Sequence, residues 1–358
     1  MEVTKRHWAR RAVTGVAVTA IVALTAAACS GAPADESAPE KVTLVWAGFG
    51  GASEAAQRAA WFEPFEAENP DIDIVYTNVP DWGQYTAAVE AGDVRWDVLA
   101  LDAQSNDLEK YFEPLDCDLI ACDEILPYSN VTDWSSIYST YGAALCYNRA
   151  GLGGAEPTSW ADFFDTEKFP GPRAIQNTSG NRINLLIGAM LSAGTEPDAV
   201  TPFDFDVAFA ELDKVKPTMI VTDGQAATTQ AVLSGEAVMG TCQDSQVAAV
   251  DFDLETMGMM WDGHITGGAA VQIAKGSRNV EAAQKLVAYI LSAENNAKLS
   301  FEMVAGPSNE NSLADANPAN DGWYSAAMTD VLKIDYPWPY VRENGQEIQD
   351  AFTAWITG

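Results

Sequence analysis

The chain has little histidine and little positive charge. Its 358 residues include two histidines, His7 and His264, and 20 Lys and Arg against 51 Asp and Glu, a formal charge of −31. With so little imidazole, a Ser-His-Asp or Cys-His site would have to be built on His264. No GxSxG elbow and no HExxH helix motif is present. His264 closes Trp261-Asp262-Gly263-His264, which reads as a loop or hinge rather than the seat of a base. The acid excess excludes nucleic acid as a partner, because a phosphate backbone must be met by Lys and Arg. It reads instead as a solubilising surface that mildly enriches cations. Gly48-Phe49-Gly50-Gly51 follows an apolar run but has neither the GxGxxG register nor a Walker lysine, so no nucleotide site is expected. Paired CxxC spacings and neighbouring histidines are also missing, so no zinc site and no cofactor are expected. Carboxylates are plentiful, but no pair stands out as an acid and base. The expectation is a protein that is not an enzyme, with a carboxylate-dependent hydrolase as the alternative.

Long apolar runs are scarce too, and the one present, Ala12 to Ala28, is informative. It follows Lys5, Arg6, Arg10 and Arg11 and ends in small residues before Cys29. Charge, apolar core and small residues in that order make an export signal, here residues 1–28. A cysteine directly after it resembles the bacterial lipobox, whose thiol is acylated and becomes the first mature residue. Arg10-Arg11 leaves a twin-arginine route open beside the general one. Two acyl chains hold a protein stably on a membrane surface, and residues 29–40 (SGAPADESAPE after the cysteine) have the small, polar composition of a tether. The expected location is the extracellular face of the cell membrane. Four further cysteines, Cys117, Cys122, Cys146 and Cys242, allow three pairings. Cys117 and Cys122 are close enough to close a small loop, which leaves Cys146 to meet Cys242.

The remainder reads as an α/β protein. Strands are expected at Val42–Trp46, Asp71–Thr77, Trp96–Leu101, Tyr141–Tyr147, Ala174-Ile175, Ala237–Cys242 and Gly268–Ala274. Helices are expected from Ser53 to about Glu68, with Pro64 as a kink, and at Tyr85–Ala91, Ser159–Phe164, Asn184–Ala193, Val207–Val215, Thr229–Ser234, Val280–Leu291 and Gln346–Ile356. The opening β-α-β-α-β order builds a parallel sheet covered by helices, and the length suits two lobes.

Several segments carry a family likeness. Leu44 to Ala52 with Trp61 to Glu68 resembles the first strand and helix of extracellular solute-binding proteins of the spermidine/putrescine type. The likeness continues through Gly92–Val98, Thr158–Asp165, Leu233–Gly240, Ile273–Ser277, Ile334–Tyr336 and Glu343–Trp355. The resemblance implies a two-lobed periplasmic-binding-protein-like fold with a hinge, closing on a small solute that passes to an ABC permease, with a monomer as the working form. Lobe one would be 41–144 and 264–310, lobe two 145–263 and 311–358. Ligands in such folds sit at the carboxyl ends of strands. That rule nominates Phe49, Gly50, Gly51, Asp102, Gln104, Asn177, Thr178, Ser179, Gln243 and Asp244, with Trp261 and Trp338 as aromatic walls.

Polyamine binders of this type hold amines with carboxylates among aromatics. Here Gln176 to Arg182 offers amides, hydroxyls and a cation, Gln243 stands where an aromatic is usual, and Gly267, Gly268 and Ala269 replace an aromatic and an acid. A smaller amine, an amino-acid-like zwitterion or an opine-like solute therefore stays open, and Arg182 is a candidate partner for a carboxylate. A ferric-ion binder of the same superfamily is the other alternative, although the chain has no Tyr-Tyr pair.

Overall fold

The computed structural model describes residues 41–358 apart from Thr178, and does not describe the side chains of Ser179 and Asn181. The export signal, Cys29 and the tether lie outside the described residues, as does Thr178.

Ten strands are present among the described residues: β1 Val42–Gly48, β2 Ile72–Asn78, β3 Val98–Leu99, β4 Phe112–Glu113, β5 Ser136–Asn148, β6 Arg173–Gln176, β7 Met219–Thr222, β8 Met239–Gln243, β9 Met257–Ala274 and β10 Lys333–Asp335. Their order is β2-β1-β3-β9-β5-β8-β6-β7, with β4 and β10 also on β9. β1 pairs in parallel with β2 and β3, and β6 pairs in parallel with β7 and β8. Between these two parallel groups run β5 and β9, antiparallel to each other. This is the mixed α/β, two-lobed architecture expected from the sequence.

Each parallel group has its own core. Leu44, Trp46, Trp61, Phe62 and Phe65 pack with Ile137, Val271, Ile273, Leu286 and Ile290. Leu145, Phe163, Leu186, Ile265, Ile348 and Phe352 belong to the other. β5 feeds the first core through Ile137 and the second through Leu145, and β9 does so through Val271 and Ile265. These long strands cross between the lobes, which is what an α/β hinge requires. The bond Cys146–Cys242 joins β5 to β8 with Cα atoms 5.7 Å apart, and Cys117–Cys122 closes its short loop.

Several elements differ from the expectation. The first helix starts at Gly51 behind Gly50, with no side-chain cap, so Ser53 is not the cap. It widens to a π turn at Arg58–Phe62, and Pro64 opens the next helical segment, where a missing N–H costs nothing. WDVLAL contributes only Val98–Leu99 as strand. β9 is much longer than Gly268–Ala274, because Trp261–His264 bulges out of register between Met260 and Ile265 and hides the alternation. The closing helix starts at Trp338 rather than Gln346.

Candidate functional site

A cavity of about 700 Å³ opens where strand ends from both lobes converge. Phe49 reaches it after β1 and Asp102 and Gln104 after β3. Gly180 and Asn184 follow β6, Gln225 follows β7, and Gln243 and Asp244 lie at the end of β8. Tyr138, Thr140 and Tyr141 of β5 form its floor, and Tyr336, Trp338 and Arg342 close one side. The volume falls in the range of small-molecule sites, roughly 300–1,000 Å³.

Two carboxylates face this space in different states. Asp244 is buried and accepts from the amides of Gly142 and Ser245, both at 2.6 Å. Burial pushes its carboxyl up to about 7, against the pull of those two amides. Asp102 keeps an open side towards the cleft while protein encloses it elsewhere. That enclosure pushes its carboxyl up to about 6, and the Arg342 charge draws it back down. Because cleft water still reaches Asp102, its upward push is softened until a solute displaces that water. Tyr141 is held well above the ordinary phenol range, first by burial and then by the fields of Asp102, Tyr336, Asp335 and Asp244. Its ring lies over Gly267, its cross-strand partner, where a Cβ would come within 2.7 Å of the hydroxyl. The aromatic missing at Gly267 is thus supplied from the facing strand.

The remaining side is cationic. Arg342 has its guanidinium 5.7 Å from the Trp338 ring centroid, and burial lowers its pKa while Asp102 raises it. Trp338 packs at 4.6 Å against Tyr336, whose amide donates to the Thr266 carbonyl at 2.9 Å. Arg182 stands near Tyr336, with its pKa lowered by burial and raised by that neighbour. Thr140 Oγ1, Asn184 Oδ1, Trp338 Nε1 and Arg342 Nε are buried polar atoms of cavity-lining residues without hydrogen-bond partners among the described residues.

Of the residues nominated from sequence, Phe49, Asp102, Gln104, Gln243, Asp244 and Trp338 line the cavity. Gly50 and Gly51 do not. They take positive φ of 73° and 60° at the turn into the first helix, and the Gly50 amide is engaged by the Tyr76 hydroxyl at 3.2 Å. Asn177 is exposed beside the site. Ser179 opens the Ser179–Ser192 helix, whose Gly180 and Asn184 are the lining residues. Trp261 is away from the cavity, edge-on to Trp323 at 6.2 Å and to His264 at 5.4 Å, because the bulge in β9 turns it into a satellite core. His264 is buried there, hydrogen-bonded to the Trp261 carbonyl and to Ser325, each at 2.6 Å. Thr140, Tyr141, Asn184, Tyr336 and Arg342 were missed. An aromatic facing a glycine pair, and a basic residue one turn after Trp338, were the available signals for Tyr141 and Arg342.

Comparison with known proteins agrees with this architecture. The gamma-aminobutyric acid-binding protein of Pseudomonas aeruginosa PAO1 is 25% identical over 341 residues, 90% of this chain and 93% of that protein. A solved GABA receptor structure superposes with a TM-score of 0.80 at 29% identity, over 88% of this chain and 97% of that one. An ABC transporter substrate-binding protein from Bradyrhizobium japonicum USDA 110 gives 0.77 at 25% identity, over 88% and 99%. The model of the bacterial extracellular solute-binding protein family matches residues 60–326, and the chain belongs to that family.

Proposed function

We propose that this protein is a lipid-anchored, non-enzymatic receptor that captures a small amino-acid-like solute outside the cell and hands it to an ABC importer. The observation that carries this reading is the cavity itself. Strand ends from both cores open on one space that holds acids (Asp102, Asp244) and a cation (Arg342) together. Relatives named for GABA support an amino-acid-like solute over a polyamine. So does Arg342, which would repel the second ammonium of a diamine entering between Asp102 and the C-terminal helix. In this reading, segments 41–144 with 264–310 and 145–263 with 311–358 move as lobes about β5 and β9, and the chain works as a monomer tethered through an acylated Cys29.

A thermal-shift panel of amino acids, ω-amino acids, polyamines and opines tests the solute class. A ligand at 100 times its dissociation constant stabilises by about 2.7 kcal/mol. Shifts confined to zwitterions support the reading, and shifts confined to polyamines or absent throughout overturn it. Replacing Cys29 with Ala should move the protein from the detergent phase to the aqueous phase or leave an unprocessed precursor. Unchanged partitioning would remove the anchor from the account.

A further inference from the structure

Trp338 and Arg342 stand one turn apart at the start of the Trp338–Thr357 helix, and both line the cavity. Trp338 is 8% exposed, and its indole Nε1 has no partner among the described residues. Arg342 Nε is likewise buried without a partner, with its guanidinium over the Trp338 ring. Indole and guanidinium only donate, and a guanidinium cannot shed its proton to relieve the mismatch. Two buried donors without acceptors, on one face of one helix, call for oxygen acceptors from elsewhere, and the guanidinium charge favours an anion in that role. The amino end of this 20-residue helix adds positive potential in the same place.

The opposite charge stands across the space. Asp102 follows β3 on the first core, whereas Ile348 and Phe352 root the C-terminal helix in the second. Among the described residues, Asp102 and Arg342 form no ion pair, yet each biases the other's titration. They share a space without closing it. A zwitterion meets both charges, and the relatives named for GABA favour one whose ammonium and carboxylate are set apart by methylenes. A diamine sets its second ammonium against Arg342, and a simple carboxylate leaves Asp102 unmatched.

We propose that Trp338 Nε1 and the Arg342 guanidinium form the carboxylate receptor of the cleft, and that with Asp102 opposite they select a solute whose ammonium and carboxylate are separated by a short methylene chain. The proposal rests on the solute-binding reading above and adds the polarity and spacing of the solute. Trp338 and Arg342 act as specificity residues from one lobe and Asp102 from the other, so a bound solute would also tie the lobes together.

The test is titration calorimetry on the mature chain with γ-aminobutyrate, α-aminobutyrate, putrescine and butyrate. γ-Aminobutyrate should bind tightest. Arg342→Gln should weaken it about 100-fold, as removal of one partner from a desolvated charge pair does, while putrescine binding holds or improves. Arg342→Lys should recover part of the loss, since it restores charge without the planar fork. Trp338→Phe, which keeps a ring and deletes the donor, should cost about tenfold, the scale of one hydrogen bond to a charged group. Unfolding curves of the three variants check that each is folded. If γ-aminobutyrate binding survives Arg342→Gln and Trp338→Phe, or is lost in Arg182→Gln alone, this assignment fails while the receptor reading stands. If wild-type protein binds none of the four, this assignment fails, and the wider thermal-shift panel decides the receptor reading.

Discussion

The two walls of the cleft carry an acid each, and the acids are built for different tasks. On the first wall, Asp102 extends from a loop whose backbone is fastened by a buried amide. Gln272 accepts from the Leu101 amide at 3.3 Å and donates to the Leu101 carbonyl at 3.0 Å and to Ser135 at 3.1 Å. Among the described residues no hydrogen bond engages the Asp102 carboxylate, which is drawn down by the charge of Arg342. On the second wall, both oxygens of Asp244 are engaged by backbone amides, pinning the β8 end to β5. A rigid loop presenting an open carboxylate suits recognition; a buried carboxylate bridging two chain segments suits architecture. Sequence position at a strand end does not distinguish them, but hydrogen bonding does.

The comparison can be broken most forcefully at the base of the second wall. Removing the Cys146–Cys242 bond, by Cys146→Ser with Cys242→Ser, should lower unfolding free energy by about 2–4 kcal/mol, because it closes a 96-residue span. Denaturant titration measures this, and a loss within error would show that the second wall is rigid without the bond. Next, Asp102→Asn should weaken an ammonium-bearing solute about 100-fold, or about 2.7 kcal/mol, with the ligand-free melting temperature nearly unchanged. Asp244→Asn should do the reverse in emphasis. An amide cannot accept from both Gly142 and Ser245, so stability should fall by about 1–3 kcal/mol. Equal effects of the two substitutions on both readouts would erase the distinction between the walls.

Acidity sharpens the contrast further. Burial raises Asp244 to about 7 from the ordinary 3.8. Between those values the folded chain holds a proton that the unfolded chain has released, so this group's contribution is present at low pH and is lost as pH rises through the window. Solute binding runs the other way, because an ammonium prefers an ionised Asp102, whose carboxyl is pushed up to about 6, and affinity should climb from pH 5 to pH 8. Unfolding and binding measured across that range should slope in opposite directions, and Asp244→Asn should flatten the stability slope. The smallest expected effect is Gly267→Ala. Its methyl meets the Tyr141 hydroxyl, so it should shift the floor ring and reduce affinity several-fold with little loss of fold.

Much of the fold was legible because burial there is periodic. The Val280–Leu291 helix shows Ala283, Leu286, Val287 and Ile290 on one face, and all four are buried. β1 was legible as a run apolar but for Thr43, and its Leu44, Trp46 and Ala47 are buried. β9 was legible only in its second half, because a four-residue bulge has no period to read. In the site, Asp102, Gln243 and Asp244 were found because strand ends are marked in the sequence. Tyr141 sits mid-strand and Arg342 one turn into a helix. Only the crossing of β5 with β9, and the packing of the last helix on the second core, carry them to the same space. The resemblance to polyamine binders captured the architecture, while Tyr141 and Arg342 line the cavity from positions where that likeness is silent.

If one cleft reads two opposite charges on one small solute, calorimetric titration of the wild-type mature protein with γ-aminobutyrate, putrescine and butyrate will show it. The expected result is one-to-one binding of γ-aminobutyrate, with putrescine and butyrate each at least about 100-fold weaker, since each leaves one charge unmatched in the occupied cleft. Putrescine binding as tightly as γ-aminobutyrate would contradict it.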